Sequence, residues 1–201
     1  MPWWKRPERV IGTVAPPPGT KPGDVPAPAL PELARGEQVL ATAQEDTHGH
    51  WLVLTTWRLL ERGEDGRTVL ERPWHEVDTG TWDPDAWTLS VLFVGPAGEA
   101  EERRWQLRLL TGPGSVPVVF RDRTTASVVL TRVIDLGPRR TARVTIRTVL
   151  ATRELVEQVL LGHGSRIDDA ELSARVLAAR RELRDQVGMD PEPPPEVRGP
   201  R

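Results

Sequence analysis

The hydrophobic periods along this 201-residue chain predict an α+β protein that is mainly β, with an antiparallel meander, a helix laid over it, and a further hairpin and helix behind. Three observations carry that prediction. Between residues 37 and 110, short alternating or β-branched segments follow one another with turn residues between them, and no helical pattern intervenes to build parallel crossovers. Two later stretches change to the spacing of a helix face. Prolines crowd the ends, with nine of the twenty in residues 1–36 and five in 189–201, so the folded part is expected within 37–188.

The first element is an unusual start, MPWWKRPERV, which sets Trp3 and Trp4 beside Lys5, Arg6 and Arg9. It is followed by APPPGTKPGDVPAPALPELARG, whose fixed φ angles and few large apolar residues predict an extended, semi-rigid linker. Residues 1–36 are accordingly expected to be a disordered, proline-rich segment. Strand character begins at EQVLATAQE, where Val39, Ala41 and Ala43 alternate before the turn cluster EDTHGH. WLVLTTWRLLERG follows and is closed by the turn EDG. RTVLERPWHEVDTGTW, DAWTLSVLFVG and, past the turn GPAGE, EERRWQLRLL complete the meander.

After TGPG the period changes. Val116, Val119, Phe120, Ala126, Leu130 and Val133 approximate an i, i+3/i+4 series and predict one helix over about 115–135, with Ser115 as its cap. Residues 142–161 predict a hairpin turning near ATRE. In the last element Asp168 and Glu171 read as a capping box, Leu172, Val176, Ala179, Leu183 and Val187 recur on one face, and Gly188 stops the helix. A proline-rich tail over 189–201 is expected to be disordered.

Composition narrows the functions. The 27 basic and 29 acidic residues leave a formal charge of −2, so no general field draws the protein to nucleic acid or anionic lipid. Without cysteine there is no disulfide framework, thiol nucleophile or thiolate metal site, which suits a reducing cytoplasm. No segment approaches the roughly 20 apolar residues of a membrane span, and the start lacks a signal-peptide apolar region. A cytoplasmic protein is the expectation.

The segment VLTTWRLLE, an apolar strand running into Thr55-x-x-Arg58, and the stretches PWHEVDTG and ASVV resemble those of pleckstrin-homology-like (PH-like) proteins of actinobacteria. The resemblance covers roughly 37–135. It implies a PH-like barrel over 37–138 closed by the amphipathic helix, with 139–188 as an additional hairpin and helix packed on the barrel or extending it. It also implies a binding role without a reaction centre, and self-association as a possible mode. Phosphoinositide-binding members hold phosphate with a basic loop between their first two strands; here that loop is EDTHGH, whose two carboxylates would repel the headgroup, so no phosphoinositide is expected.

His48 and His50 stand two apart with His75 further on, a set able to bind a metal beside Glu45 or Asp46, against the simpler reading of a polar turn. Ser115 and Ser165 follow glycines but sit in no G-x-S-x-G elbow and no phosphate loop, so they read as turn residues and no catalytic residue is assigned. Arg103, Arg104 and Arg108 with Trp105, and Arg139, Arg140, Arg143 and Arg147, are the only footprints for nucleic acid, and the adjoining Glu99, Glu101 and Glu102 argue against it. Trp51, Trp57, Trp74, Trp82, Trp87 and Trp105 read as packing residues. Trp3 and Trp4 have no apolar neighbours in sequence to bury them, and with Lys5, Arg6 and Arg9 they read as a tethered docking motif for a protein partner, with folding back onto the chain's own barrel and peripheral membrane contact as the alternatives. The combined expectation is a non-enzymatic adaptor that needs no cofactor. Its rivals are a metal protein built on His48, His50 and His75, and a nucleic-acid module.

Overall fold

A computed structural model of the chain describes residues 21–94, 100–166 and 168–190. Its class is α+β, mainly β, with three antiparallel sheets and two α-helices. Strands β1 (Val39–Gln44), β2 (Trp51–Thr55), β3 (Arg58–Arg62) and β4 (Thr68–Pro73) form a four-stranded meander. A single 3-10 turn, Trp74–Glu76, then redirects the chain into β5 (Val77–Asp83), β6 (Thr88–Val94) and β7 (Ala100–Gln106), a second meander. The two stay separate sheets, so the seven strands do not close into one continuous barrel. Between them lies the larger core: Leu52, Leu54 and Leu59 from the first sheet face Leu89, Val91 and Phe93 from the second, with the fully buried Trp74 at the corner.

Helix α1 (Val116–Ser127) plugs this core with Val116 and Phe120, and the Phe120 ring meets Trp74 edge-on at 5.9 Å between centroids. Ser115 occupies the cap position, but its side chain makes no capping hydrogen bond. The helix predicted over 115–135 ends at Ser127, where the chain passes directly into strand β8 (Val128–Asp135). The reason is tertiary: Val128, Val129 and Val133 are β-branched, and β8 finds a partner in β9 (Thr141–Thr148), with Thr131 opposite Thr145 and Ile134 opposite Ala142. Thus β8 joins β9 and β10 (Leu155–Leu161) in a third sheet of order β10-β9-β8.

The predicted hairpin is present as β9 and β10, turning through residues 149–154. One face of this sheet buries Ile134, Val144 and Ile146 against Leu172, Val176, Ala179 and Leu183 of helix α2 (Ala170–Val187). The cap of α2 is Asp169, whose carboxylate accepts the Leu172 N–H at 3.0 Å, and not Asp168, which instead pairs with the exposed Arg166. Arg140 selects between the two aspartates by binding Asp169 and Glu171 together. Gly188 ends the helix in a left-handed conformation, φ +68°, where a side chain would be strained.

The other face of the third sheet is polar and meets the first body of the molecule. Arg143 pairs with Asp78, Gln158 donates to the His75 carbonyl at 2.6 Å, and the buried Arg147 donates to Ser127 Oγ at 2.7 Å and to the Asp78 carbonyl at 3.1 Å. Burial pushes the Arg147 guanidinium down; the Asp78 carboxylate opposes that effect, and Arg143 adds to it.

The largest departure from expectation is the proline-rich run. Residues 21–36 are not a free linker where the structure describes them: they pack on the outer face of the first sheet, where Val25 and Ala29 bury against Trp51, Val53 and Leu60. This explains why WLVLT shows no alternation. All five residues of β2 are buried, because one face serves the core and the other serves the segment. Arg62 fastens the contact by donating to the carbonyls of Ala29 and Pro28.

Candidate functional site

Three places hold side chains that the sequence singles out. At the end of β2 the chain turns into β3, and Thr55 and Arg58 converge there on Glu37. Arg58 grips both carboxylate oxygens of Glu37, at 2.9 and 3.0 Å, while Thr55 Oγ1 donates to Glu37 Oε1 at 2.6 Å. The Ala34 N–H adds a fourth bond at 3.1 Å, and Arg58 also reaches the Glu32 carbonyl at 2.7 Å and the Glu71 carboxylate at 2.5 Å. Burial disfavours the charge on Glu37, yet the bonds from Arg58, Thr55 and Ala34 outweigh it and hold its carboxyl below the ordinary range. The Thr55-x-x-Arg58 spacing was visible in sequence; its partner, twenty-one residues upstream of Arg58, was not.

Over this clamp opens a groove of about 490 Å³, whose apolar wall is made by Leu33, Ala34, Trp57, Pro73, Val149 and Ala151. Four separate segments build it: the end of the proline-rich run, the β2–β3 turn, the end of β4 and the β9–β10 turn. Leu33 is 44 % exposed and forms an apolar rim, with the exposed Glu32 beside it. The charged side chains of the lining are Glu32, Glu37 and Arg58, so the groove offers an apolar surface over the Glu37–Arg58 ion pair with the exposed Glu32 carboxylate at its rim.

At the opposite end of β2 the EDTHGH turn brings two of the three candidate histidines together. The rings of His48 and His50 stack with centroids 5.3 Å apart and planes at 17°, and one potential ligand atom from each of Glu45, His48 and His50 lies within 4.8 Å of the others. His75 does not join them. It sits on the 3-10 turn between the first two sheets, where burial, aided by the Arg147 guanidinium, pushes its imidazole below its ordinary pKa. The Glu45 carboxylate accepts N–H groups from Thr47, His48 and His50, and these outweigh the opposing effect of burial, so its pKa is lowered. Asp46 faces the other way and accepts the N–H groups of Arg108, Leu109 and Leu110.

Most members of the arginine clusters pair with carboxylates. Arg103 pairs with Glu101, Arg104 with Glu102, Arg140 with Asp169 and Glu171, and Arg143 with Asp78. Trp105, the aromatic that would stack a base, is only 3 % exposed and donates its indole N–H to Glu61 at 2.9 Å. Trp3, Trp4, Lys5, Arg6 and Arg9, the predicted partner-binding residues, lie outside the described residues. Among the described residues no helix is long and apolar enough to cross a membrane.

No protein-family model, curated protein or solved structure matches the chain.

Proposed function

We propose that this chain is a non-enzymatic, PH-like protein-binding module of the cytoplasm, and that its recognition surface is the groove over the Glu37–Arg58 clamp. The observation that carries the proposal is the groove's construction. Apolar side chains from four segments surround an ion pair whose carboxylate, Glu37, is buried, an arrangement suited to receive an apolar anchor of a partner. Exposed Glu32 on the rim favours a partner segment that carries a basic residue next to its apolar anchor. The absence of cysteine supports the compartment. The N-terminal motif of Trp3, Trp4, Lys5, Arg6 and Arg9 supplies a second contact in the same proposal, either with the partner or with another copy of the chain.

The test places a photo-crosslinking residue at Ala151, at the groove wall, and irradiates the native cell. A discrete adduct with a second polypeptide is expected, abolished by Leu33→Asp at the exposed rim and weakened by deletion of residues 1–9, neither of which should change thermal stability. No adduct, or an adduct indifferent to Leu33→Asp, refutes the groove as the recognition surface.

A further inference from the structure

We propose that the turn between β1 and β2 is a binding site for one borderline divalent transition ion, with Glu45, His48 and His50 as its ligands. Two imidazoles and a carboxylate select the class: nitrogen donors suit zinc, cobalt, nickel or copper, whereas calcium and magnesium prefer shells of oxygen. The site is remote from the groove, at the other end of β2.

The turn is built before any ion arrives. Gln44 holds the Gly49 carbonyl at 2.9 Å, the Glu45 carboxylate gathers three N–H groups of its own turn, and Asp46 ties the opposite side to the Arg108–Leu110 backbone. Gly49, at φ +73°, is the residue that lets the chain reverse so tightly and return His50 beside His48.

Behind the ligands stands a supporting carboxylate. Glu61 is nearly buried, with Oε1 2.8 Å from His50 Nδ1 and Oε2 accepting the Trp105 indole N–H at 2.9 Å. A carboxylate that only accepts hydrogen bonds keeps the proton on Nδ1, so Nε2 of His50 carries the lone pair that a metal needs. Carboxylate–histidine–metal relays of this kind orient the ring and raise its donor strength. Tetrahedral binding at ordinary zinc–nitrogen lengths requires ligand atoms about 3.4 Å apart. The atoms here lie within 4.8 Å, and His48, whose side chain is 66 % exposed, is the ligand free to close the remaining gap. The same exposure leaves the outer coordination positions to water.

Calorimetric titration of the full-length chain with Zn²⁺ at neutral pH tests the site, with the visible absorption of Co²⁺ reporting coordination geometry. One equivalent is expected to bind. Glu61→Gln should weaken binding by about 10- to 100-fold, the usual loss for an outer-shell partner, and His48→Ala by at least as much, since it removes a ligand outright. His163→Ala should change nothing. If His50→Ala fails to fold, His48→Ala remains decisive because its side chain is exposed. Absence of saturable Zn²⁺ uptake by the wild-type chain, or unchanged affinity in His48→Ala, overturns the site.

Discussion

Glu37, Glu45 and His75 each bind a proton less readily in the folded protein than in the unfolded chain, the first two because donated hydrogen bonds outweigh burial and the third because burial excludes the charged ring. The unfolded chain therefore takes up protons first as pH falls, and stability must fall with it. The contribution of His75 is complete above its ordinary value of 6.5 and is lost as pH drops below it; that of the two glutamates is complete above 4.5 and is lost below. Urea midpoints measured from neutral pH downward should decline gently at first and then steeply. Glu45→Gln should lower stability at neutral pH by about 1–3 kcal/mol, since it weakens three partly buried N–H bonds to one carboxylate, and should flatten the steeper phase. A profile level through both windows would refute the assignment. Of these groups, the sequence reading singled out His75 as a ligand candidate and Glu45 as a neighbour of the histidines; the folded structure gives His75 a different role and shows Glu37 to be the anchor of the groove.

Helix α1 shows how far a local pattern carries. The spacing of Val116, Val119 and Phe120 was legible as helical and is helical, and the same period continued through Leu130 and Val133 by coincidence with a strand. A strand of edge register and a helix face can share apolar positions over a few residues, and only the presence of β9 alongside decides between them. The seat of Phe120 was equally invisible. It lies on Gly80 of β5, where a methyl group would overlap the ring. Gly80→Ala should displace Phe120 from its place against Trp74 and cost about 1–3 kcal/mol, the usual penalty for overpacking a fitted core. Chemical denaturation measures it. A stability equal to wild type would show that the helix shifts without cost and that the core is looser than its burial indicates.

Across the whole molecule, the proline-rich run changes from a tether into a structural layer. Residues 21–36 cover Trp51, Val53 and Leu60 with Val25 and Ala29, and they also supply Leu33 to the groove. A chain beginning at Glu37 would leave a second apolar sheet face in water. It should unfold at a distinctly lower temperature than the intact protein and self-associate, whereas a chain beginning at residue 10 should melt as the intact protein does. Scanning calorimetry with gel filtration separates the two outcomes; equal melting of both truncations would refute the layer. The third sheet is joined to the rest by polar contacts centred on Asp78, His75 and Arg147, a junction that alternation alone could not foretell because its residues read as the solvated face of a hairpin.

The sequence by itself determined the class, the antiparallel order of the meander, the C-terminal hairpin and the stop of the last helix at Gly188, because each depends on side chains within a few residues of one another. The proximity of His48 to His50 was of the same kind. Tertiary structure alone decided that the seven strands remain two sheets, that β8 is a strand, that Asp169 and not Asp168 caps α2, and that Arg58 at the start of β3 meets Glu37 from before β1. It also decided that the described part of the proline-rich segment would pack on the first sheet through Val25 and Ala29. The physical reason is common to all of these: each is settled by which partner arrives from a distant part of the chain to cover an apolar face or neutralise a buried charge, and local periodicity holds no record of that partner.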